Sequence, residues 1–141
     1  MTERFRVIVC GGRDYAKVAT DSRKTSRSGA LDELAKLCDV LDSLKRKHPG
    51  LHIVTGAAHG ADAAALAWAM RNEVSFEGYP ANWSKWGDAA GPQRNTYMVA
   101  LGADAVVAFP GGSGTAHMIR IAQAAGIKVW CPFGQPEKAG G

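Results

Sequence analysis

The sequence predicts an α/β sandwich in which a parallel sheet of about five strands lies between two layers of helices. Three observations lead to this fold class. Short apolar runs, typical of strands buried on both faces, alternate along the chain with segments of helical periodicity. Glycine-rich turns end several of these runs. The length of 141 residues, 46% of them hydrophobic, is that of one ordinary globular domain, which we expect to span residues 1–141.

The first half of the chain contains two strand–helix units. The first predicted strand is FRVIVC, residues 5–10, and GGRDY ends it. The next segment carries apolar residues at intervals of three and four, which places them on one stripe of a helix closed by HPG. These stripe residues are Leu31, Leu34, Cys38, Leu41 and Leu44. LHIVT, residues 51–55, is the second strand, and the Ala-rich AAALAWAMRN after GAAHGAD is a helix packed closely against the sheet.

The second half continues the alternation. VSFEGY (74–79), DAVVAF (104–109) and IKVWCP (127–132) are the remaining predicted strands. PANWSKWGDAA is a polar loop, after which Pro92 suits the first turn of a helix carrying Tyr97, Met98 and Leu101. Another helix starts near Gly114. This order predicts right-handed crossovers and a Rossmann-like sandwich.

Charge and composition limit the function classes. The net charge of +4 is concentrated in RKTSR and in KRKH, the latter typical of a solvated helix end, so an anionic partner is allowed but not required. Residues 16–30 are polar and basic, and we expect a mobile loop or lid there. No run approaches the ~20 apolar residues of a membrane span, so we expect a cytoplasmic protein with no membrane partner. Three unpaired cysteines and scattered histidines predict neither disulfides nor a metal site, and no cofactor is expected.

Four loops should meet at the carboxyl edge of the sheet, where ligands of open α/β sheets lie. They are GGRDY (11–15), GAAHGAD (56–62), PANWSKWGDAAGPQRN (80–95) and PGGSGT (110–115). PGGSGT can direct several N–H groups and the hydroxyls of Ser113 and Thr115 at one phosphate. A simple strand-to-helix turn would need one Ser or Thr as its N-cap but would not need three glycines. The predicted ligand-binding residues are Gly11, Gly12, Arg13, Asp14, Gly56, Gly60, Asp62, Arg94, Asn95, Gly111, Gly112, Ser113, Gly114 and Thr115.

Several other residues on these loops have a structural alternative. Asp62 and Asp88 suit helix N-termini at least as well as catalysis. His59 and His117 are acid–base candidates that can equally pack or face solvent. Trp83 and Trp86 could stack on a base, although packing is the commoner use of tryptophan.

Four of these motifs together resemble a known group of proteins. VCGGRDY, TGAAHGAD, YPANWSKWGDAAGPQRNTYM and FPGGSGT, in this order, are similar to the SLOG superfamily, which unites the Smf/DprA and LOG proteins, and specifically to its YspA/YpsA-related branch. The resemblance covers nearly the whole chain. It implies a Rossmann-like domain that binds nucleotides or nucleotide-derived ligands, in a branch often found in phage or genome-conflict settings. Similarity to LOG proteins also implies a homodimer or higher homo-oligomer.

The LOG enzymes of this superfamily hydrolyse the N-glycosidic bond of nucleoside 5′-monophosphates, and their signature pairs an arginine with PGGxGTxxE. Arg94 is similar to the LOG arginine, and residues 110–115 match the glycine loop. Met118 stands where the signature has glutamate, and a thioether cannot stabilise positive charge on the sugar or activate water. We therefore expect binding rather than LOG-type catalysis; if hydrolysis occurs, Arg94, Asp14 and Asp62 are the candidate catalytic residues.

Three function classes follow. The first is a module that binds or senses a nucleotide-derived small molecule. The second is a LOG-like N-glycoside hydrolase, motivated by Arg94 and the glycine loop. The third is a DprA-like binder of single-stranded nucleic acid, motivated by the basic segment and predicting affinity that falls steeply with salt.

Overall fold

A computed structural model describes residues 3–18 and 28–134 of the chain. It contains five strands: β1 (Phe5–Cys10), β2 (Leu51–Thr55), β3 (Ser75–Gly78), β4 (Ala105–Ala108) and β5 (Lys128–Trp130). It also contains five α-helices: α1 (Ala30–Lys47), α2 (Ala61–Arg71), α3 (Trp83–Trp86), α4 (Ala90–Ala100) and α5 (Ser113–Ala124). The 3-10 turn Gly87–Ala89 joins α3 to α4.

The strands form one parallel sheet in the order β3-β2-β1-β4-β5. Val7 of β1 pairs with Ile53 of β2 on one side and with Ala105 of β4 on the other. The chain moves outward from β1 to β3 and then returns to the other side of β1 with β4. The predicted Rossmann-like α/β class is therefore confirmed, and the switch in strand order falls between β1 and β4.

Each sheet face has its own apolar cluster. On one face, Val7, Val9 and Ile53 pack with Leu37 and Leu41 of α1, and α2 completes this layer. On the other face, Ile8, Val54 and Val106 pack with Met98 of α4 and Met118 of α5. Neighbouring residues of a strand point to opposite faces of the sheet. The strands predicted to be apolar on both faces therefore contribute side chains to both clusters.

Two segments differ from the sequence prediction. The predicted polar loop after β3 contains the helix α3, whose N-cap Asn82 accepts a hydrogen bond from Lys85 N at 3.1 Å. At the ends of the predicted mobile segment, Ala16 is buried and Ala30 is the first residue of α1. The central part of that segment, 19–27, lies outside the described residues, so its mobility stays a prediction.

Within 3–18 and 28–134, none of the helices has both the length and the apolar character needed to cross a bilayer. In that part of the chain, no three His, Cys, Asp or Glu side chains come together as a set of metal ligands.

Candidate functional site

A cavity of about 710 Å³ opens at the carboxyl edge of the sheet, next to the switch between β1 and β4. The loops after these two strands are held together by hydrogen bonds from Phe109 N to Cys10 O and from Gly12 N to Pro110 O, both 2.9 Å. The loop after β2 and the segment from α3 to α4 form the remaining walls. All four loops predicted to meet at this edge therefore contribute to one cavity.

Most residues of the predicted ligand-binding set line this cavity. Those that do are Gly11, Gly12, Arg13, Gly56, Asp62, Arg94, Asn95, Gly112, Ser113, Gly114 and Thr115. Asp14, Gly60 and Gly111 are not among its lining residues. The structure thus brings together the glycine-rich loop PGGSGT and the predicted Arg94, and leaves Asp14 outside the lining.

Three of the glycines are required by close packing between loops. An added Cβ on Gly11 would lie 2.6 Å from the Cβ of Ala61, and one on Gly111 would lie 2.7 Å from Gly12 N. Gly60 has a φ of 77°, and a Cβ there would collide with the carbonyl oxygens of Gly12 and Arg13. These positions exclude a side chain because of neighbouring backbone and side-chain atoms, whether or not a ligand is bound.

Gly112 and Gly114 behave differently. Apart from chain neighbours and the backbone of α5 itself, a Cβ on either would meet no heavy atom of the described residues within 4 Å, and both line the cavity. Gly112 is the N-cap of α5, and no side chain within residues 3–18 and 28–134 caps this helix. The first bond of the helix runs from Ala116 N to Gly112 O at 3.0 Å, so the N–H groups of residues 113–115 precede it. An uncapped helix N-terminus that opens onto a cavity suits an anion.

The N-terminus of α2 is closed by contrast. Its first residue, Ala61, donates its N–H to Gly12 O at 3.2 Å. The loop after β1 therefore lies over the start of α2, whose first turn contributes Asp62 to the cavity lining, whereas the first turn of α5 lines the cavity with Ser113, Gly114 and Thr115.

Arg94 connects three elements beside the cavity. Its Nη1 donates to Gly56 O and, at 3.2 Å, to Tyr79 O, while its Nε donates to Asn95 Oδ1 at 3.0 Å. Gly56 has to be glycine here because an added Cβ would overlap the guanidinium. Burial lowers the pKa of Arg94, although an arginine remains charged at neutral pH. Among the described residues, Nη2 has no hydrogen-bond partner, which leaves it for an anion.

Asn95 links Arg94 to α5 by hydrogen bonds. The buried amide group donates from Nδ2 to Gly114 O at 3.2 Å, and Nδ2 also lies 3.2 Å from Nδ1 of His117. His117 lines the cavity, and burial together with Arg120 lowers the pKa of its imidazole. The imidazole is therefore mostly neutral at pH 7.

Asp62 is the buried carboxyl group of the site. It is the second residue of α2 rather than its N-cap, and its Oδ2 accepts a hydrogen bond from Ala58 N at 3.2 Å. Burial raises its pKa from 3.8 to about 6, against the opposing effects of the Ala58 N–H and Arg94. Asp62 thus exchanges a proton close to neutral pH. Asp88, in the 3-10 turn before α4, also lines the cavity, and Ala89 rather than Asp88 is the N-cap of α4.

An aromatic side chain, Trp83, forms part of the cavity lining. The guanidinium carbon of Arg13 lies 4.7 Å from the centre of the Trp83 ring, a cation–π contact. Trp83 lines the cavity and is 45% exposed, whereas Trp86 is exposed and does not line it. Stacking on a ligand base is therefore open to Trp83.

The position of Met118 bears on catalysis. Its side chain is 1% exposed, packs in the apolar cluster with Ile8, Val54 and Met98, and lines the cavity floor. The site therefore has an apolar wall where the LOG signature has a glutamate.

Sequence reasoning did not assign several lining residues to the site. Cys10 and Met98 are apolar positions of β1 and α4 without a chemical signature, and burial raises the pKa of the Cys10 thiol further from neutrality. Arg120 follows His117 by three residues on α5, a spacing that places both on the same helix face and could have indicated it.

Comparison with known proteins decides the family. The profile of the YspA, cpYpsA-related SLOG family matches residues 5–86. The chain belongs to this SLOG family. The matched part includes β1, β2 and β3 with the loops GGRDY and GAAHGAD, and the family resemblance inferred from the motifs is confirmed. Family membership supports a nucleotide-related role at the level of the family.

Two individual proteins are similar to this SLOG protein. The gene 61 protein of Mycobacterium phage D29 is 47% identical over 131 residues, covering 88% of this chain and 93% of the phage protein. The X-ray structure of TM1055, a structural genomics target, superposes with a TM-score of 0.59 at 20% identity, covering 89% of this chain and 72% of that chain. The phage relative agrees with the phage setting expected for the branch, and the solved structure supports the fold.

Proposed function

We propose that this SLOG protein binds the phosphate group of a nucleotide or nucleotide-derived ligand in the cavity beside β1 and β4. The observation that carries the proposal is the uncapped N-terminus of α5, where Gly112 and Gly114 leave open space in front of the first N–H groups. A volume of about 710 Å³ lies within the ordinary range of small-molecule sites.

The charges around this helix end support an anionic ligand. Arg94 is anchored by three hydrogen bonds and has Nη2 unused among the described residues. Arg13 lines the same cavity. A guanidinium and a set of backbone N–H groups together provide charge-assisted hydrogen bonds to a phosphate.

The aromatic wall supports a ligand with a base attached to the phosphate. Trp83 has one ring face against Arg13, and the ring edge lies near Gly91. An aromatic base can stack on such a ring with little dependence on its identity. The phosphate is therefore the recognised group, and the base contributes mainly by stacking.

Isothermal titration calorimetry with nucleoside mono- and diphosphates tests the proposal, starting from adenosine 5′-monophosphate. Mass spectrometry of small molecules released from freshly purified protein identifies a ligand that copurifies. We expect saturable binding that Gly114→Val removes. Failure of all phosphorylated nucleosides to bind, together with an empty mass spectrum, would contradict the proposal.

A second candidate function, hydrolysis of the N-glycosidic bond, is supported by Asp62. Its carboxyl group lines the cavity and has a pKa near 6, so it could donate or accept a proton at neutral pH in place of the missing glutamate. Chromatography for free base after incubation with nucleoside monophosphates distinguishes the two functions. Base release that Asp62→Asn abolishes would make the protein a hydrolase.

A further inference from the structure

The hydrogen bonds around Asn95 determine which way its amide group faces. Arg94 Nε can only donate, so the atom of Asn95 that contacts it has to be the oxygen. The carbonyl of Gly114 can only accept, so its partner has to be the amide nitrogen. The flipped amide would set a donor against Arg94 and an acceptor against Gly114, and both contacts would be lost.

The orientation of Asn95 determines the tautomer of His117 in turn. Nδ2 of Asn95 carries two hydrogens, one for Gly114 O and one for Nδ1 of His117, which lies 3.2 Å away. Nδ1 therefore accepts, and the proton of the neutral ring is on Nε2. Among the described residues, Nε2 has no hydrogen-bond partner, and the ring lines the cavity beside the first turn of α5.

We propose that Arg94 and Asn95 hold His117 as its Nε2–H tautomer, so that the ring presents a neutral hydrogen-bond donor to an anionic oxygen of the ligand. The tautomer follows from contacts within the protein, whereas the ligand contact rests on the proposed function. His117 then extends the set of donors beyond the backbone N–H groups of α5 and the guanidinium of Arg94. Its ligand is an oxyanion such as a phosphate.

Long-range ¹H–¹⁵N spectra of the four histidines test the tautomer at about pH 8, above the ordinary imidazole pKa of about 6.5. His117 should show a protonated Nε2 and an unprotonated Nδ1. The exposed His59, which does not line the cavity, serves as the control and should show the averaged signals of an unconstrained ring. An Nδ1–H tautomer or an averaged signal for His117 would overturn the proposal.

Substitutions at Asn95 test whether this residue sets the tautomer of His117. In Asn95→Asp both side-chain oxygens accept, so a maintained contact requires the proton on Nδ1, and the tautomer should switch. Asn95→Ala removes the contact and should give averaged signals, which keeps the test valid if the aspartate variant is unstable. A His117 signal that is unchanged in both variants would show that Asn95 does not set the tautomer.

The ligand contact is tested separately with inorganic phosphate and adenosine 5′-monophosphate. His117→Leu should weaken binding by about 10-fold or more, whereas His117→Gln, whose amide nitrogen can donate from a similar place, should stay within about 3-fold of wild type. His59→Leu should leave affinity unchanged. Equal affinity of His117→Leu and wild type would overturn the contact while leaving the proposed function intact. Absence of binding by wild type, extended to the other phosphorylated nucleosides and joined by an empty mass spectrum, would overturn both the contact and the proposed function.

Discussion

Replacing the cavity-facing glycines by valine should remove ligand binding from a protein that remains folded. Apart from chain neighbours and the backbone of α5 itself, an added Cβ at Gly112 or Gly114 meets no atom of the described residues within 4 Å, and Gly112 has an ordinary φ of −104°. Valine is no worse than glycine in a helix, so the substitution at Gly114, the second residue of α5, should not destabilise that helix. The midpoint of thermal unfolding should therefore stay close to that of wild type.

The binding penalty follows from what the methyl groups would occupy. In front of residues 113–115 a valine side chain fills the space through which a phosphate oxygen would reach the N–H groups. Losing one charge-assisted hydrogen bond costs about 1.5–3 kcal/mol, which corresponds to an affinity loss of roughly 10- to 150-fold. Displacement of the whole phosphate would cost more, so binding should fall below detection for a ligand of micromolar affinity.

Calorimetry against adenosine 5′-monophosphate, with thermal unfolding measured in parallel, is the assay. Ala124→Val provides the matched control, because Ala124 is an exposed residue at the opposite end of the same helix. It should bind like wild type. Wild-type affinity in both glycine variants would refute the reasoning and reduce PGGSGT to a strand-to-helix turn.

Three other substitutions test separate parts of the site. Gly111→Ala should destabilise the fold by about 1–3 kcal/mol in urea unfolding, since its Cβ would press on Gly12 N and Thr115 Oγ1; an unchanged midpoint would show that the loops can separate freely. Arg94→Lys keeps the charge but cannot keep all three hydrogen bonds, so we expect a loss of about 1–3 kcal/mol in stability and weaker nucleotide binding by calorimetry. Burial raises the pKa of Asp62 from 3.8 in the unfolded chain to about 6 in the native state. The contribution of the protonated group to the free energy of unfolding is therefore fully present below about pH 4 and is lost as the pH rises through about 6. Its size is on the order of 3 kcal/mol. Asp62→Asn should therefore be more stable than wild type in urea at about pH 7.5 and equal to it near pH 4, and a pH-independent difference would contradict the raised pKa.

The strands were largely predictable because their apolar runs reflect burial on both faces. β1 and β2 have the predicted bounds, Phe5–Cys10 and Leu51–Thr55. The helix α3 was not predicted, since Trp83–Trp86 is too short to show helical periodicity. Its local signal was Asn82, an N-cap residue just before it.

The site was predictable at the level of loops but not of individual glycines. Gly111 and Gly112 are adjacent in one motif, yet one is enclosed by neighbouring atoms and the other faces open space. A glycine in the sequence indicates a position where a Cβ does not fit, and only the tertiary packing shows whether protein atoms or a ligand occupy that space. For the same reason His117 could not be assigned from its own helix, because its partner Asn95 lies on α4.

The surroundings of Met118 show what a LOG-type glutamate would contact at that position. A glutamate at that position would place a carboxyl group among Ile8, Val54 and Met98, where burial without a partner disfavours the charged form. Restoring the LOG glutamate alone would therefore produce a protonated, destabilising side chain rather than the carboxylate that hydrolysis needs. The carboxyl group already in the cavity, Asp62, is instead held by the Ala58 N–H at the start of α2. A working carboxylate at position 118 would thus require changes in the apolar wall as well, and this coupling favours the proposed binding function over LOG-type hydrolysis.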